Sequence, residues 1–393
     1  MHASRILLRC LASVFDSMHA LRRCTLLLAV EALIAGRRLT LIDLARAWPG
    51  AHRVRAPLKR LDRLLGNRHV QGMLIAVGQA MARWLLRGPR PVIVVDWSDL
   101  KHDGRWCVLR AGVPVGGRTL TLLEQIWPIR KQETAAAQQA FLKSLHRIVP
   151  AHVRPILITD AGFRSNWFRA IEAFGWHWIG RLGGNTQVRA PNGSDWLPCR
   201  LCHAQAGAAP RDLGAYEMVR QQPLRCRLVV QRRPPRGRHR LTRRGSASRD
   251  RRHLKSAQSQ RQPWLLTVST SLSNLTAQRI VALYAQRMQI ELSFRDLKSH
   301  RYGAGFEDSL TRQAERLAVL LLLHTLASFA AWLAGLAATG AKVGHRLAAN
   351  SQKRPTYSVL RLGREALVRG WLHGTAPPFL DLVSARLPLE GGV

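Results

Sequence analysis

Two short apolar runs, each directly followed by an aspartate, constrain the fold of this chain most strongly. Residues 92–95 precede Asp96, and residues 154–159 precede Asp160. Runs of this length that are rich in β-branched residues predict buried central strands. Patterning predicts strands also at 106–111, 119–127 and 176–182, and helices at 135–149 and 167–174. The order strand, strand, strand, helix, strand, helix, strand is that of an RNase H-like α/β sheet.

The rest of the chain divides around this core. Residues 1–88 are predicted to be helical, with helices at 22–35, 40–47 and 56–65. The last of these carries Lys59, Arg60 and Arg63 and favours a helix-turn-helix-like DNA-binding domain. A helical bundle with a solvated basic face is the alternative. The remaining predicted parts are the first part of the core (89–183), a β-rich insertion (184–272), the second part of the core (273–340) and a C-terminal segment (341–393).

Charge indicates the class of partner. The chain has 61 Lys and Arg against 23 Asp and Glu, a formal net charge of +38. Such a surface binds polyanions, and nucleic acid fits best because phosphate neutralisation releases counterions. An arginine-rich loop at 232–255 is either a solvated connector or a direct DNA contact.

Three further features bear on the compartment. Six cysteines are too few for a disulfide scaffold in a chain of 393 residues, which favours a reducing cytoplasm. Cys199, Cys202 and His203 have the spacing of a c-type haem attachment site, but residues 1–23 lack an export signal, so no haem is expected. The apolar stretch 317–338 could span a bilayer by count, yet a helix buried in a protein core has the same composition, so no membrane partner is expected.

Phosphodiester cleavage needs an activated oxygen nucleophile and stabilised charge, which a pair of divalent ions held by carboxylates can supply. Asp96 and Asp160 alone are weak evidence, because an aspartate that closes a strand is often a helix cap or a turn former. Glu291 strengthens the evidence for a phosphodiester-cleaving site. Three basic residues share a helical face with it: Arg287 four residues before, Arg295 four residues after and Lys298 seven residues after. A salt-bridged surface helix has the same spacing.

The segment from Tyr284 to Lys298 also carries a resemblance. Tyr284, two residues, Arg287, three residues, Glu291, six residues and Lys298 match without gaps the Y-R-E-K motif of the insertion-sequence-four family. Its members are bacterial cut-and-paste transposases of the DDE type. The segments that end in Asp96 and Asp160, and residues 59–67, also resemble this family, so that the resemblance spans about residues 40–310.

The resemblance implies a fold, a reaction and partners. It implies an RNase H-like catalytic core interrupted by a β-rich insertion, and an N-terminal domain that reads the ends of a mobile element. Asp96, Asp160 and Glu291 would bind two Mg²⁺ ions, with Mn²⁺ as a substitute. The partners would be double-stranded DNA, as terminal inverted repeats and as target, and a second copy of the chain in a synaptic homodimer.

Members that excise through a DNA hairpin stack a tryptophan on a flipped base, and Trp264 resembles that residue. Met288 stands where some hairpin-forming relatives carry a second tryptophan. Tyr284 and Arg287 would contact phosphate near the flipped base, and Lys298 the strand near the cleaved bond. The alternatives are a catalytically inactive DNA-binding protein derived from a transposase, and an RNase H-like nuclease without strand transfer. The presence of all three acids argues against the first.

Overall fold

The structure, a computed structural model, describes residues 2–233, 262–347, 357–372 and 381–383. Most of the predicted arginine-rich loop 232–255 lies outside these ranges. Contacts divide the chain into two units, the first formed by Met1–Pro155 with Arg287–Val393 and the second by Ile156–Gln286. Within the first unit, N-terminal helices pack with the long helix Ala314–Gly340. The five predicted segments stay a prediction.

The described elements are labelled here in chain order. The helices are α1 (Ala3–Cys10), α2 (Ala12–Phe15), α3 (Ala20–Gly36), α4 (Leu41–Arg46), α5 (Arg55–Leu65), α6 (Arg68–Gln71), α7 (Leu74–Leu85), α8 (Ala135–Ile148), α9 (Ser165–Ala173), α10 (Ala277–Ala285), α11 (Met288–Lys298), α12 (Ala314–Gly340) and α13 (Val359–Val368). The strands are β1 (Val92–Asp99), β2 (Trp106–Pro114), β3 (Thr119–Pro128), β4 (Ile156–Thr159), β5 (His177–Arg181), β6 (Gln187–Arg189), β7 (Leu197–Pro198), β8 (Arg211–Met218), β9 (Leu224–Gln231) and β10 (Trp264–Val268).

Hydroxyl caps explain where several helices begin. A Thr or Ser side chain accepts a hydrogen bond from a backbone N–H in the first turn of α4, α8, α10 and α13, with Thr40, Thr134, Thr276 and Ser358 as the caps. Such a cap satisfies a donor that the helix itself leaves unpaired. Three of the N-terminal helices, α3, α4 and α5, lie within two residues of their predicted bounds.

The sheet of the first unit is an antiparallel meander in which β2 lies between β1 and β3. The sequence places the end of β1 at residue 95, whereas the strand runs on to Asp99 because Asp96–Asp99 pair with Arg110–Cys107 of β2. Asp96 is therefore a residue inside a strand rather than the residue that follows one. Helices α7 and α8 pack against β3, and α11 packs along all three strands.

The longest helix, α12, forms the core of the first unit. Nineteen of its residues are buried, and its neighbours are α1, α3, α5, α13 and β3. By length and composition it could cross a membrane, and 83% of its most apolar window is buried inside the fold. At its crossing with α13, Gly335 and Gly363 let the two backbones approach so closely that a Cβ atom on either glycine would overlap the facing helix.

The second unit contains a mixed sheet in the order β4, β5, β10, β9, β8, β6, β7. Strands β4 and β5 are parallel and are joined through α9, whereas the other described pairings are antiparallel. The predicted insertion range 184–272 is rich in strands, since it contains β6 to β10. Helix α10 packs on β5 and β9. The sequence predicts one helix from 276 to 298, but the chain turns at Gln286 and Arg287, and α10 and α11 are separate helices.

Candidate active site

Asp96 and Glu291 converge on one guanidinium group. Arg287 Nη1 lies 3.0 Å from Asp96 Oδ2, and its Nη2 lies 2.6 Å from Glu291 Oε1. The Asp96 carboxylate also accepts a hydrogen bond from the Trp97 N–H. Two residues far apart in the sequence therefore place their carboxylates around a single positive charge, on the face where α11 packs on β1.

Lys298 continues this face toward the end of β1. Its Nζ donates to Ser98 Oγ at 3.1 Å and to the Asp99 carbonyl at 3.0 Å. Side chains alternate along a strand, so Asp96 and Ser98 lie on the same face of β1. Burial lowers the pKa of Lys298, while the Glu307 and Asp99 carboxylates oppose this shift. Two members of the predicted Y-R-E-K segment, Glu291 and Lys298, thus lie on α11, and a third, Arg287, lies directly before it.

Hydrogen bonds from the turn between β2 and β3 hold α11 in this position. The Gln289 side chain accepts from the Gly117 N–H at 2.9 Å, and Ser293 Oγ accepts from the Thr119 N–H at 2.8 Å. One turn further along, Asp296 pairs with Arg118. Arg295 is exposed between these contacts. The helix that carries Glu291 is therefore anchored to the sheet at three successive positions.

A buried ion pair, which the sequence analysis missed, lies beside the carboxylates. Arg110, the β2 residue opposite Asp96 in the register, is 1% exposed. It donates from Nε to Glu124 Oε1 at 2.7 Å, and its guanidinium carbon lies 4.3 Å from the centre of the Phe294 ring. An arginine in the otherwise apolar run 106–111 was the available signal, because a charge inside a buried strand requires a partner.

Asp160 lies in the second unit, directly after β4. Its Oδ1 accepts the Gly162 N–H at 2.9 Å, which closes a turn and orients the half-buried carboxylate. Across the described ranges, no group of three or more His, Cys, Asp or Glu side chains is close enough together to bind a metal ion. The predicted three-carboxylate site therefore stays a prediction, and the contacts in the first unit account for two of its members.

Trp264 and Tyr284 contact each other within the second unit. Their ring centres are 4.9 Å apart with the planes at 79°, and the Arg233 guanidinium lies 4.5 Å from the centre of the Trp264 ring. Tyr284 is only 2% exposed, so its ring supports Trp264 and presents almost no surface to DNA. Trp264 itself is partly exposed at the first residue of β10.

The basic residues predicted to bind DNA near the N-terminus are accessible. Lys59, Arg60 and Arg63 are all exposed on α5, whereas Leu61, Leu64 and Leu65 of the same helix are buried. The helix is therefore amphipathic, with an apolar face in the core and a basic face in solvent.

Cys199 and Cys202, the residues with haem-attachment spacing, are buried in a short 3-10 segment, Cys199–Gln205. Burial raises the pKa of Cys199 to about 11 and also raises the pKa of Cys202. Thiols in such surroundings are protonated and unreactive at neutral pH.

The donor set of the first unit fits a hard divalent cation. Carboxylate oxygens are the ligands that Mg²⁺ prefers, and this ion commonly takes only one or two of them from a protein. Asp96 and Glu291 supply such a pair, and the Arg287 guanidinium balances one of their two negative charges. The negative charge that remains is available to a metal cation.

Comparison with known proteins agrees with this chemistry. A search of curated proteins found no significant match. Residues 87–328 match the family described as "Transposase DDE domain", a range that includes Asp96, Asp160 and Glu291 and covers more than half of the chain. The chain therefore belongs to the transposase DDE domain family.

Proposed function

We propose that this protein is an insertion-sequence-four transposase that cleaves and rejoins DNA with Asp96, Asp160 and Glu291. The observation that carries the proposal is the convergence of Asp96 and Glu291 on Arg287, because Arg287 and Glu291 are both members of the Y-R-E-K spacing. A salt-bridged surface helix would explain the contact between Arg287 and Glu291, but it would not explain why Arg287 also binds a strand aspartate 191 residues away.

Asp96 and Glu291 would hold divalent metal, with two Mg²⁺ ions expected and Mn²⁺ as a substitute. When bound, the ions activate the attacking oxygen and stabilise the leaving oxygen in phosphodiester transfer. Asp160 would complete the ligand set. Its inclusion rests on its position directly after β4 and within the matched family range.

Arg287 and Lys298 would position the DNA strand at the carboxylates. Arg287 would exchange its carboxylate partners for a phosphate of the bound strand, since a guanidinium binds either anion through the same geometry. Lys298 would contact the phosphate beside the cleaved bond, and its hydrogen bonds to Ser98 and to the Asp99 carbonyl hold it near Asp96. Arg295, exposed on the same helix, would contact a neighbouring phosphate.

Trp264 would stack on a base flipped from the duplex during hairpin formation. Tyr284 and Arg233 support its ring from two directions, which would limit the rotamers it can adopt. Stacking of a base on an aromatic side chain contributes about 1 to 3 kcal/mol. We predict that Trp264→Ala slows hairpin formation on a pre-nicked substrate and leaves first-strand nicking nearly unchanged. Equal loss of both steps would assign Trp264 to the core of the second unit instead.

The remaining parts of the proposal concern assembly. The exposed basic face of α5, with Lys59, Arg60 and Arg63, would read the terminal inverted repeats. Two copies of the chain would pair two DNA ends, and the reaction would take place in the cytoplasm on chromosomal or plasmid DNA.

The proposal is tested by replacing each acid with its amide in Asp96→Asn, Asp160→Asn and Glu291→Gln. A duplex that carries one end of the element, taken from the DNA that flanks the gene, is incubated with Mg²⁺, and nicking is followed on a denaturing gel. Each variant should lose roughly 10³-fold or more in nicking rate and keep its affinity for the duplex. Asp103→Asn is the matched control, because Asp103 is an exposed acid in the turn after β1.

An acid whose amide variant still nicks does not belong to the triad. Wild-type protein that binds the end duplex but does not nick it would be a DNA-binding protein derived from a transposase. Nicking without joining of the freed 3′ hydroxyl to a target plasmid would indicate a nuclease without strand transfer.

A further inference from the structure

The first unit contains a second basic region, a cavity of about 810 Å³ between α3, β2, β3, α11, α12 and α13. Eight arginines and two histidines line it, with Asp296 as the only acid among the lining residues described. We propose that this cavity binds a short single-stranded segment of the DNA on which the protein acts, an inference that rests on the function proposed above.

The first argument is charge. Four carboxylates pair with lining arginines: Glu124, Asp296, Asp308 and Glu365. Eight guanidinium groups against four carboxylates leave an excess of four positive charges among the described residues. Folding brings together residues of like charge from several elements here, which is unfavourable unless an anion binds among them. The cavity therefore has the electrostatics of a phosphate-binding site.

The second argument is the presence of exposed aromatic rings. Tyr302 is 70% exposed and Tyr357 is 48% exposed, and both line the cavity. The whole chain has four tyrosines, so half of them lie at this one site. The Arg301 guanidinium lies 5.2 Å from the centre of the Tyr302 ring. Cationic grooves with accessible aromatic rings bind single strands, because the cations contact phosphates while bases stack on the rings. A free polyphosphate would use the arginines but not the tyrosines.

The third argument is size. A volume of 810 Å³ corresponds to a cube with an edge of about 9 Å. A B-DNA duplex is wider than this, because its major groove alone is about 12 Å wide. The cavity can therefore enclose a few unpaired nucleotides but not a duplex. Single-stranded segments arise in the proposed reaction whenever a strand is nicked and displaced from its complement.

The fourth argument is continuity with the candidate active site. Arg295, Asp296 and Ser293 of α11 line the cavity, and Glu291 lies on the same helix. Arg295 follows Glu291 by one helical turn, about 5.4 Å along the axis. A strand whose phosphate lies at Glu291 would thus continue past Arg295 into the cavity.

Binding is tested in EDTA, so that the result does not depend on cleavage. The probe is a fluorescein-labelled oligothymidylate of 12 nucleotides, and its anisotropy is measured at several salt concentrations. The double variant Arg301→Gln with Arg361→Gln removes two exposed cavity arginines. The matched control, Arg130→Gln with Lys131→Gln, removes two exposed charges of the same unit outside the cavity. Circular dichroism verifies that each variant is folded.

The cavity variant should bind the oligonucleotide about tenfold more weakly at moderate salt, and its log–log salt slope should decrease by about 1.4. The control should change much less. An equal loss in both variants would mean that general surface charge binds the strand, which overturns the proposal.

A second arm separates a DNA strand from a free polyphosphate. Tyr302→Ala should weaken oligonucleotide binding about fivefold or more, Tyr302→Phe should restore it, and neither should change the affinity for inorganic pyrophosphate measured by calorimetry. If pyrophosphate binds while Tyr302→Ala leaves oligonucleotide binding intact, the cavity is a polyphosphate site and the DNA assignment is wrong. Failure of the proposed function is a separate result, since it is measured as absence of nicking by wild-type protein in Mg²⁺.

Discussion

Removal of Arg287 should expose the electrostatic cost of the paired carboxylates. In Arg287→Met, Asp96, whose side chain is 11% exposed, and Glu291, whose side chain is 35% exposed, would face each other without the guanidinium. Breaking a buried ion pair by removing one partner costs about 3 to 5 kcal/mol. The ion pair between Arg287 and Glu291 is screened by solvent and contributes at most about 1 kcal/mol to the free energy of unfolding. We therefore expect a loss of about 3 to 4 kcal/mol in the free energy of unfolding, mostly from Asp96.

The assay is urea unfolding followed by far-UV circular dichroism at neutral pH in EDTA. Arg295→Met is the matched control, because Arg295 is an exposed arginine on the same helix, and it should change stability by less than about 0.5 kcal/mol. Adding Asp96→Asn to Arg287→Met should recover part of the loss, since the double variant removes the negative charge that Arg287 balances in wild type.

Divalent cations should reverse the effect. A cation that binds only the folded state adds about 2.7 kcal/mol at 100 times its dissociation constant. Mg²⁺ should stabilise Arg287→Met more than wild type, because in wild type the guanidinium competes for the same oxygens. The reasoning is refuted if Arg287→Met is as stable as wild type in EDTA, or if Mg²⁺ stabilises both proteins equally.

Three further predictions concern the first unit. Glu124→Gln should destabilise the fold by about 3 kcal/mol in urea unfolding, because Arg110 would remain buried without a carboxylate; a loss below 1 kcal/mol would contradict this. Gly363→Ala should lower the thermal midpoint by several degrees, since its Cβ would overlap the Ala331 carbonyl, and an unchanged midpoint would show that the helices separate freely. Burial, with Arg110 nearby, lowers the pKa of His324 to about 3, below its unfolded value of about 6.5. The unfolded chain therefore binds the additional proton between these values, so wild type should lose stability as pH falls from 6.5 toward 3. His324→Gln should flatten that part of the profile, and an unchanged profile would show that the imidazole is solvated.

The order of helices and strands could be predicted because the spacing of apolar residues along the sequence indicates each element. The apolar runs before Asp96 and Asp160 form strands, and the helices at 135–149 and 167–174 lie within two residues of their observed bounds. Helical spacing alone predicts that Glu291 and Lys298 lie on one face of α11, and Arg287 lies directly before this helix.

Other features depend on tertiary contacts, and the pattern of apolar residues does not indicate which residues make them. The extension of β1 to Asp99 depends on pairing with β2, and the turn at Gln286 and Arg287 interrupts a pattern that favours one continuous helix. The pairing of Arg110 with Glu124 joins neighbouring strands. The basic cavity draws its arginines from three elements, β2, α11 and α13, and from three connecting segments, and they are separated by up to 327 positions, from Arg37 to Arg364. No local window of sequence could therefore indicate it.

The burial of α12 determines which fragments of this protein can be studied. The family match ends at residue 328, inside this helix, whereas α1, α3, α5 and α13, which cover its apolar surface, all lie outside 87–328. A recombinant fragment trimmed to the matched range would therefore leave a long leucine-rich surface open to water and would aggregate. Biochemical work on the proposed catalytic residues therefore requires these flanking helices, even though none of them carries Asp96, Asp160 or Glu291.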